Sequence, residues 1–379
     1  MHPLPVYALL NIELARGRGS IVEDVHGTQY LDLYGGHAVI SIGHSHPHYV
    51  AVVGSQLQTL GFYSNSVRIP IQERAAALVG EASGYDDYRF FMVNSGAEAN
   101  ENAIKLASFI TGRKRVVAFR GAFHGRTALA VATTDNPRIV APVNETPHVV
   151  FVDFVDLQAV EQELAQGDVA AVIIEGIQGV GGIQVPADDA LRGLDTLCSR
   201  YGTMLILDEV QSGVGRTGRF FAHQHAGIRP PLITVAKGIG NGFPVGGLLV
   251  HPGLGVREGM LGTTFGGNHL ASAAVVAVME TLMAEGLQEQ AAAAGTRMME
   301  ALRDIPGVLE VRGRGLMIGI DTAQPSSAIR SALVEHHRIL TGNASTPATV
   351  RLLPPLNIRP EDLDRAASAL RTLCTVEHS

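Results

Sequence analysis

The chain has 379 residues, 46% apolar and only 17% charged, with 43 glycines, 18 prolines, 2 cysteines and no tryptophan. That length suits two or three domains, each able to bury a core. A formal charge of −7 leaves no basic excess to hold a nucleic acid or an anionic membrane, and Cys198 and Cys374 form no Cys-x-x-Cys pair that would point to a zinc site or a disulfide framework.

The first 17 residues lack a cationic start and carry Glu13 in their apolar stretch, so they fail as a signal peptide. No uncharged apolar run approaches the roughly 18 residues of a membrane span, and a reducing, cytoplasmic setting is expected. Ser20 to Val25 and Tyr30 to Leu33 flank a His26-Gly27-Thr28 turn and predict a hairpin. From there a rhythm repeats: a short β-branched run, a glycine turn, then a segment with helical spacing. This predicts a mostly parallel sheet covered on both faces. Seven strands are expected, over 89–93, 115–119, 149–154, 169–175, 204–208, 232–236 and 246–250. Between the first two, Ala99, Ala103, Ile104, Ala107 and Ile110 share one helical face, starting at Ser95-Gly96-Ala97 and closing at Gly112. Long helices are expected over 271–283 and 287–302, then short strands over 308–321 and 349–353. The division expected is 1–48 as part of a small domain, 49–269 as a large domain and 270–379 as a C-terminal α+β domain.

Ligands of open α/β sheets bind at the carboxyl ends of the strands, and four of these strands end in chemistry-bearing residues. One runs into Asp208-Glu209-Val210-Gln211 and another into Lys237-Gly238. Taken alone, such an acid and lysine read more readily as a structural ion pair than as a catalytic one. A third passes from Asn94 into Ser95-Gly96-Ala97, where free N–H groups at a helix start favour a phosphate or a carboxylate; Asn94 or Ser95 acting only as a cap is the plainer alternative. The fourth leads to Phe123-His124-Gly125-Arg126. An anion cradle, an aromatic face, a carboxylate for a pyridinium proton and a lysine amine are the protein groups that pyridoxal phosphate needs. Lys237 must be desolvated or crowded to work as an amine near neutrality.

At these positions the chain resembles a known family. Asn94-Ser95-Gly96-Ala97-Glu98-Ala99-Asn100, Phe123-His124-Gly125-Arg126-Thr127, Leu207-Asp208-Glu209-Val210-Gln211-Ser212-Gly213, Ala236-Lys237-Gly238-Ile239-Gly240-Asn241-Gly242 and Gly262-Thr263-Thr264-Phe265-Gly266-Gly267-Asn268 are together similar to the class III aminotransferases, in order and over nearly the whole chain. The likeness is strongest to members that act on acylated ornithine. It implies the fold-type-I architecture, with a mostly parallel seven-stranded sheet in a large domain and a smaller α+β domain, and pyridoxal 5′-phosphate as cofactor.

Under that resemblance Lys237 is the lysine bonded to the cofactor and Asp208 the partner of its ring nitrogen. Gln211 meets the ring hydroxyl, Phe123 stacks on the ring, and Gly96 and Ala97 hold the phosphate, with Ser95 and Val210 also at the cofactor. Thr264 completes the phosphate site from the other subunit of a homodimer, with Thr263 facing substrate. Arg126 takes the α-carboxylate of the acylated ornithine and Arg351 that of glutamate or 2-oxoglutarate. Glu175 covers Arg351 in one half-reaction; the alternative is a permanent Glu175 to Arg351 ion pair. Ser64 and Asn65 are expected at the acyl end.

The implied reaction moves the terminal amino group of N-acetylornithine or N-succinylornithine to 2-oxoglutarate, as in arginine biosynthesis. Ornithine, 4-aminobutyrate or a lysine-pathway amine as donor remains an alternative. Three decoys fall away. Gly213 to Gly218 fits G-x-G-x-x-G, but no helical period and no acid about 20 residues on follow it, so it reads as a glycine turn beside the cofactor. His44, His46 and His48 have no carboxylate or cysteine set near them in sequence, and no metal is expected. No G-x-x-x-x-G-K-[ST] segment occurs. His269 stands after Asn268 where the family often has proline, and nothing in the sequence specifies the fold of 341–348.

Overall fold

The computed structural model describes residues 1–375. All seven expected strands form one sheet. They are β1 (Arg89–Val93), β2 (Arg115–Phe119), β3 (Val149–Val152), β4 (Val169–Glu175), β5 (Met204–Asp208), β6 (Leu232–Val235) and β7 (Gly246–Val250), ordered β1-β7-β6-β5-β4-β2-β3. Strand β7 is antiparallel to both of its neighbours, while β6-β5-β4-β2-β3 pair in parallel. Because β7 reverses twice, β1 runs the same way as β6. Six strands therefore present their carboxyl ends along one edge.

Residues along β4 alternate between two cores. Val172 and Ile174 pack on the helices Leu157–Leu164 and Asp188–Tyr201 on one face through Val160, Leu164, Leu191 and Leu194, whereas Ala171 and Ile173 meet Ala103, Ile104 and Ala107 on the other. All seven β4 side chains are buried, which explains why its sequence is a continuous apolar run.

The helix on the second face, Gly96–Thr111, starts where expected. Ser95 caps it by accepting Glu98 N–H, and Gly112 ends it in the left-handed conformation with φ 68°. The helices His269–Ala284 and Leu287–Arg303 match the expected ranges to within two residues at each end. Two helices, Pro47–Thr59 and Pro70–Ser83, were not expected. Each begins on a proline, which suits the first helical turn, but their apolar periodicity is weak.

The N-terminal hairpin forms as strands Ile21–Asp24 and Gln29–Asp32, joined by Leu14–Arg18. Its far edge pairs in parallel with Ile339–Leu340, so the two ends of the chain share a sheet. A third sheet holds Val308–Arg314, Met317–Thr322, Thr349–Leu352 and the short strand Gly342–Asn343. The expected strand over 308–321 is thus a hairpin, turning at Gly315 with φ 53°. Segment 341–348 is held by that short strand and by Ser345, whose backbone N–H and hydroxyl both donate to Val180 O, at 2.9 and 3.0 Å. Among the described residues no single helix is long and apolar enough to cross a membrane.

Candidate active site

The strand ends converge on a cavity of about 420 Å³ lined by Ser95, Gly96, Ala97, Phe123, Arg126, Glu175, Asp208, Val210, Gln211 and Lys237, with Asn100, His124, Val39 and Phe243 among its other walls. Ten residues singled out in the sequence therefore meet in one place. The register explains much of this. Glu175 and Asp208 are direct partners across β4 and β5, and Asp208 pairs with Thr234 of β6, three residues before Lys237.

Lys237 sits at φ +48°, a left-handed conformation that costs a non-glycine residue about 1 kcal/mol or more. Its loop is pinned from outside. Asn241 Oδ1 accepts Ser41 N–H and Ile42 N–H at 2.8 and 3.1 Å, and Ser41 Oγ donates to Gly238 O at 2.6 Å. The N-terminal segment is thereby tied to the turn that aims the lysine. Burial pushes the ammonium pKa below its ordinary value, with Arg351 adding to the shift and the carboxylates of Asp208 and Glu175 opposing it.

Asp208 is 3% exposed and held by three contacts. Its Oδ2 accepts Asn100 Nδ2 at 2.7 Å and lies 2.7 Å from His124 Nδ1, and its Oδ1 accepts Val210 N–H at 3.0 Å. Thr234 Oγ1 donates to Asn100 Oδ1 at 2.6 Å, which fixes the Asn100 amide with its donors toward Asp208 and His124 O. Neither Asn100 nor His124 carried a role in the sequence reading. Asn100 lies one helical turn beyond Gly96, and that i, i+4 spacing was the available signal.

The helix start fits an anion. Gly96 and Ala97 line the cavity, while the first hydrogen bonds of the helix are made by the N–H groups of Glu98 and Ala99. The two preceding donors are left for a ligand. A Cβ on Gly96 would fall 2.6 Å from Val210 Cγ1, so glycine there lets the helix start press against Val210. With Phe123, Asp208 and Lys237 on the same cavity, the donor set fits the phosphate, ring and aldehyde of pyridoxal phosphate.

Glu175 is held by backbone. Phe123 N–H donates to its Oε1 at 3.0 Å and Gly179 N–H to its Oε2 at 2.9 Å. Burial raises its pKa to about 7, the Asp208 charge adding to the effect while His124 and the two backbone donors oppose it. No ion pair joins Glu175 to Arg351, so the permanent-pair alternative is not what the structure contains. Arg351, 1% exposed, donates through Nη1 to Gln211 Oε1 at 3.3 Å and through Nε to Asn343 O. Gln211 in turn donates to His37 O at 3.1 Å. Burial lowers the Arg351 pKa to about 10. Arg126 stands exposed at the cavity mouth.

Of the other expected residues, Arg351 lies behind Gln211 rather than on the cavity wall, and Ser64, Asn65, Thr263 and Thr264 lie elsewhere within this chain. Thr263 and Thr264 line a second cavity of about 450 Å³ with Asn94, Glu98 and Phe265. Asn65 donates to Gly266 O at 3.0 Å and accepts from Gln72 at 3.1 Å, beside that same loop and outside the Lys237 cavity. The glycines of 213–218 are also not beside the cofactor cavity. A Cβ on Gly218 would meet Ala292 at 2.7 Å, and one on Gly213 would meet Glu209 O at 2.7 Å, so this turn serves packing against the Leu287–Arg303 helix and its own strand end. Each of the three histidines does have a carboxylate, a different one in each case: His44 with Asp32, twelve positions earlier, at 2.8 Å, and from far along the chain His46 with Glu285 at 2.9 Å and His48 with Glu280 at 2.7 Å. Among the described residues no cluster of three or more such side chains could hold a metal ion.

Comparison with known proteins agrees with this geometry. The family model for aminotransferase class-III matches residues 6–373. An acetylornithine aminotransferase of Mycolicibacterium smegmatis is 41% identical over 370 residues, covering 96% of this chain and 94% of its own. One from Bacillus subtilis is 37% identical, covering 96% and 95%. Among solved structures, the ornithine aminotransferase from Toxoplasma gondii ME49 superposes with a TM-score of 0.91 at 29% identity, covering 97% of this chain and 91% of that one.

Proposed function

The chain belongs to the class III aminotransferases, and we propose that it moves the terminal amino group of an N-acylated ornithine to 2-oxoglutarate with pyridoxal 5′-phosphate as cofactor. The acylated semialdehyde and glutamate are the products. The observation that carries the chemistry is the meeting of Lys237, Asp208, Phe123 and the Gly96-Ala97 helix start on one cavity. The substrate class rests on relatives near 40% identity over 96% of the chain that bear the acetylornithine aminotransferase name.

When bound, pyridoxal phosphate supplies the aldehyde that takes up the amine and the conjugated ring that delocalises the electron pair left as the adjacent C–H bond breaks. The N–H groups of Gly96 and Ala97 hold its phosphate. Phe123 and Val210 would wall its ring, and the Asp208 carboxylate would face the ring nitrogen. Lys237, desolvated and therefore able to shed its proton, takes up the proton at Nζ from the carbon that bears the substrate amine. Arg126, at the mouth, binds the α-carboxylate of the acylated ornithine. Arg351, deep in the site, binds that of the dicarboxylate once the Gln211 carboxamide gives way. Glu175 governs when the site is hospitable to that second anion.

Two copies of the chain form the working unit in this reading, with Thr264 and Thr263 reaching the cofactor phosphate and substrate of the neighbouring copy. Their position on a separate exposed cavity supports that arrangement, as does the exposed Phe62 and Phe265 ring pair, whose centroids are 5.3 Å apart. The large domain spans 49–269 and the small one joins 1–48 to 270–379, consistent with the sheet shared by the two chain ends. The enzyme works in the cytoplasm on small molecules alone.

Free ornithine as donor is the second reading, favoured by the likeness to the Toxoplasma gondii ornithine aminotransferase. Turnover of acetyl-, succinyl- and unblocked ornithine with 2-oxoglutarate decides between them. The acylated donors are expected to be preferred at least about tenfold in kcat/KM, because binding the blocked end adds contacts that the free amine lacks. Preference for unblocked ornithine would reject the proposal.

A further inference from the structure

We propose that Glu101 is a positioning residue for Arg126: its carboxylate gathers the backbone that follows the arginine and so sets where the guanidinium stands to meet the α-carboxylate of the amine donor. The inference rests on the donor reading above and deepens it, since it assigns work to a residue outside the Lys237 cavity.

The contacts come from one helix. Glu101 lies on Gly96–Thr111. Its Oε2 accepts the Thr127 hydroxyl at 2.7 Å, Leu129 N–H at 2.9 Å and Ala130 N–H at 3.0 Å, and its Oε1 shares the Leu129 N–H at 3.0 Å. Leu129 and Ala130 belong to the first turn of the short helix Ala128–Ala132, where Thr127 holds the cap position. A threonine there ordinarily accepts those amides itself. Here its hydroxyl donates to Glu101 instead, and the carboxylate of the longer helix takes both amides.

The other side of the arginine is held by the same helix. Ala97 lies four residues before Glu101, on the same face. A Cβ on Gly125, which sits at φ +135°, would fall 2.6 Å from Ala97 Cβ and 3.1 Å from Ala130 Cβ, so glycine there lets the chain lie against the helix start. Arg126 thus stands between two anchors on one rigid element. That element also presents Gly96 and Ala97 to the cavity and Asn100 to Asp208, so the span from the cofactor end of the donor to its carboxylate end is set within one helix. The Arg126 side chain is exposed at the mouth, and its reach follows from where its backbone is held.

The test uses two donors that differ only in the group Arg126 binds: N-acetylornithine, and N-acetyl-1,4-diaminobutane, which lacks the α-carboxylate. Wild-type and Glu101→Gln holoenzymes are mixed with each, and the amine half-reaction is followed by cofactor absorbance, after thermal unfolding has established that the variant is folded. Gln keeps the size but replaces one acceptor by an amide donor facing other donors. The half-saturating concentration of N-acetylornithine is expected to rise about 10- to 100-fold, the scale of misplacing a positioning group, with the limiting rate little changed. N-acetyl-1,4-diaminobutane is expected to react as with wild type. Thr127→Val, which removes one of the contacts, shifts N-acetylornithine in the same direction by less, and carries the test if the Gln variant does not fold. In an Arg126→Ala background, Glu101→Gln costs little more.

Equal impairment with both donors would overturn the proposal by making Glu101 a scaffold residue. So would an undiminished cost of Glu101→Gln in the Arg126→Ala chain, or a wild-type response to N-acetylornithine in a folded Gln or Val variant. An Arg126→Ala protein that handled the two donors in the wild-type ratio would instead overturn the donor reading for Arg126, and the proposal with it.

Discussion

The Arg351 guanidinium donates to the Gln211 carboxamide oxygen at 3.3 Å, so this buried cation, set behind a residue of the cavity wall, is covered by an uncharged side chain. The contact is crowded into place, because a Cβ on Gly179 would fall 1.9 Å from Gln211 Oε1, and Gly179 N–H is the donor to Glu175 Oε2. Glu175, Gly179, Gln211 and Arg351 thus form one connected series. A neutral cover can be displaced by a carboxylate at less electrostatic cost than a charged one.

Arg351→Ala removes the charge that the dicarboxylate needs. The expected outcome is a rise of about 10- to 100-fold in KM for 2-oxoglutarate, from loss of a charge-assisted contact, with the half-reaction of the amine donor much less affected. Rapid mixing of each half-reaction separately reads the two effects. Equal damage to both halves would place Arg351 in the common scaffold.

Glu175 gives a pH signature. Its carboxyl has a pKa of about 7 in the folded chain against an ordinary value of 4.5. Between these the native state keeps a proton that the unfolded chain has released, so on this account stability falls as pH rises through 4.5 to 7. Glu175→Gln imitates the protonated form and removes the effect. Thermal unfolding of the apoprotein is expected to show the Gln variant gaining on wild type at pH 8 relative to pH 5; a constant difference would contradict the burial argument.

Asp208→Asn keeps the size and loses the charge opposite the ring nitrogen. Steady-state assays are expected to show kcat reduced on the order of 10²-fold or more, the scale of removing a preorganised electrostatic partner, while melting temperature changes little. A kcat within a few-fold of wild type would show that the ring nitrogen does not depend on this carboxylate.

Gly96→Ala places a methyl 2.6 Å from Val210 Cγ1. Overpacking of this kind costs about 1–3 kcal/mol, and here it also pushes the phosphate-binding helix start away from the cavity. Loss of cofactor affinity is expected to exceed the loss of stability, and Val210→Ala in the same chain to restore part of both. A Gly96→Ala protein with unchanged cofactor affinity would mean that the helix start does not hold the phosphate.

Much of this site was legible before any coordinates because buried parallel strands write themselves as apolar runs and end on their functional residues: Glu175, Asp208 and Lys237 each follow such a run. What stayed hidden is what sequence distance conceals. The Asn100 and His124 contacts to Asp208 span 108 and 84 positions, and the carboxylate partners of His46 and His48 lie more than 200 residues away. The helices at 47–59 and 70–83 have only a weakly apolar face, so periodicity could not reveal them. The turn at 213–218 was misplaced because glycines demanded by packing and glycines demanded by a ligand look alike in a sequence.

Borohydride reduction of the protein saturated with pyridoxal phosphate, followed by peptide mass analysis, tests the central claim most directly. A phosphopyridoxyl group on Lys237 is the predicted result. Attachment at another lysine, or at none, would contradict the account.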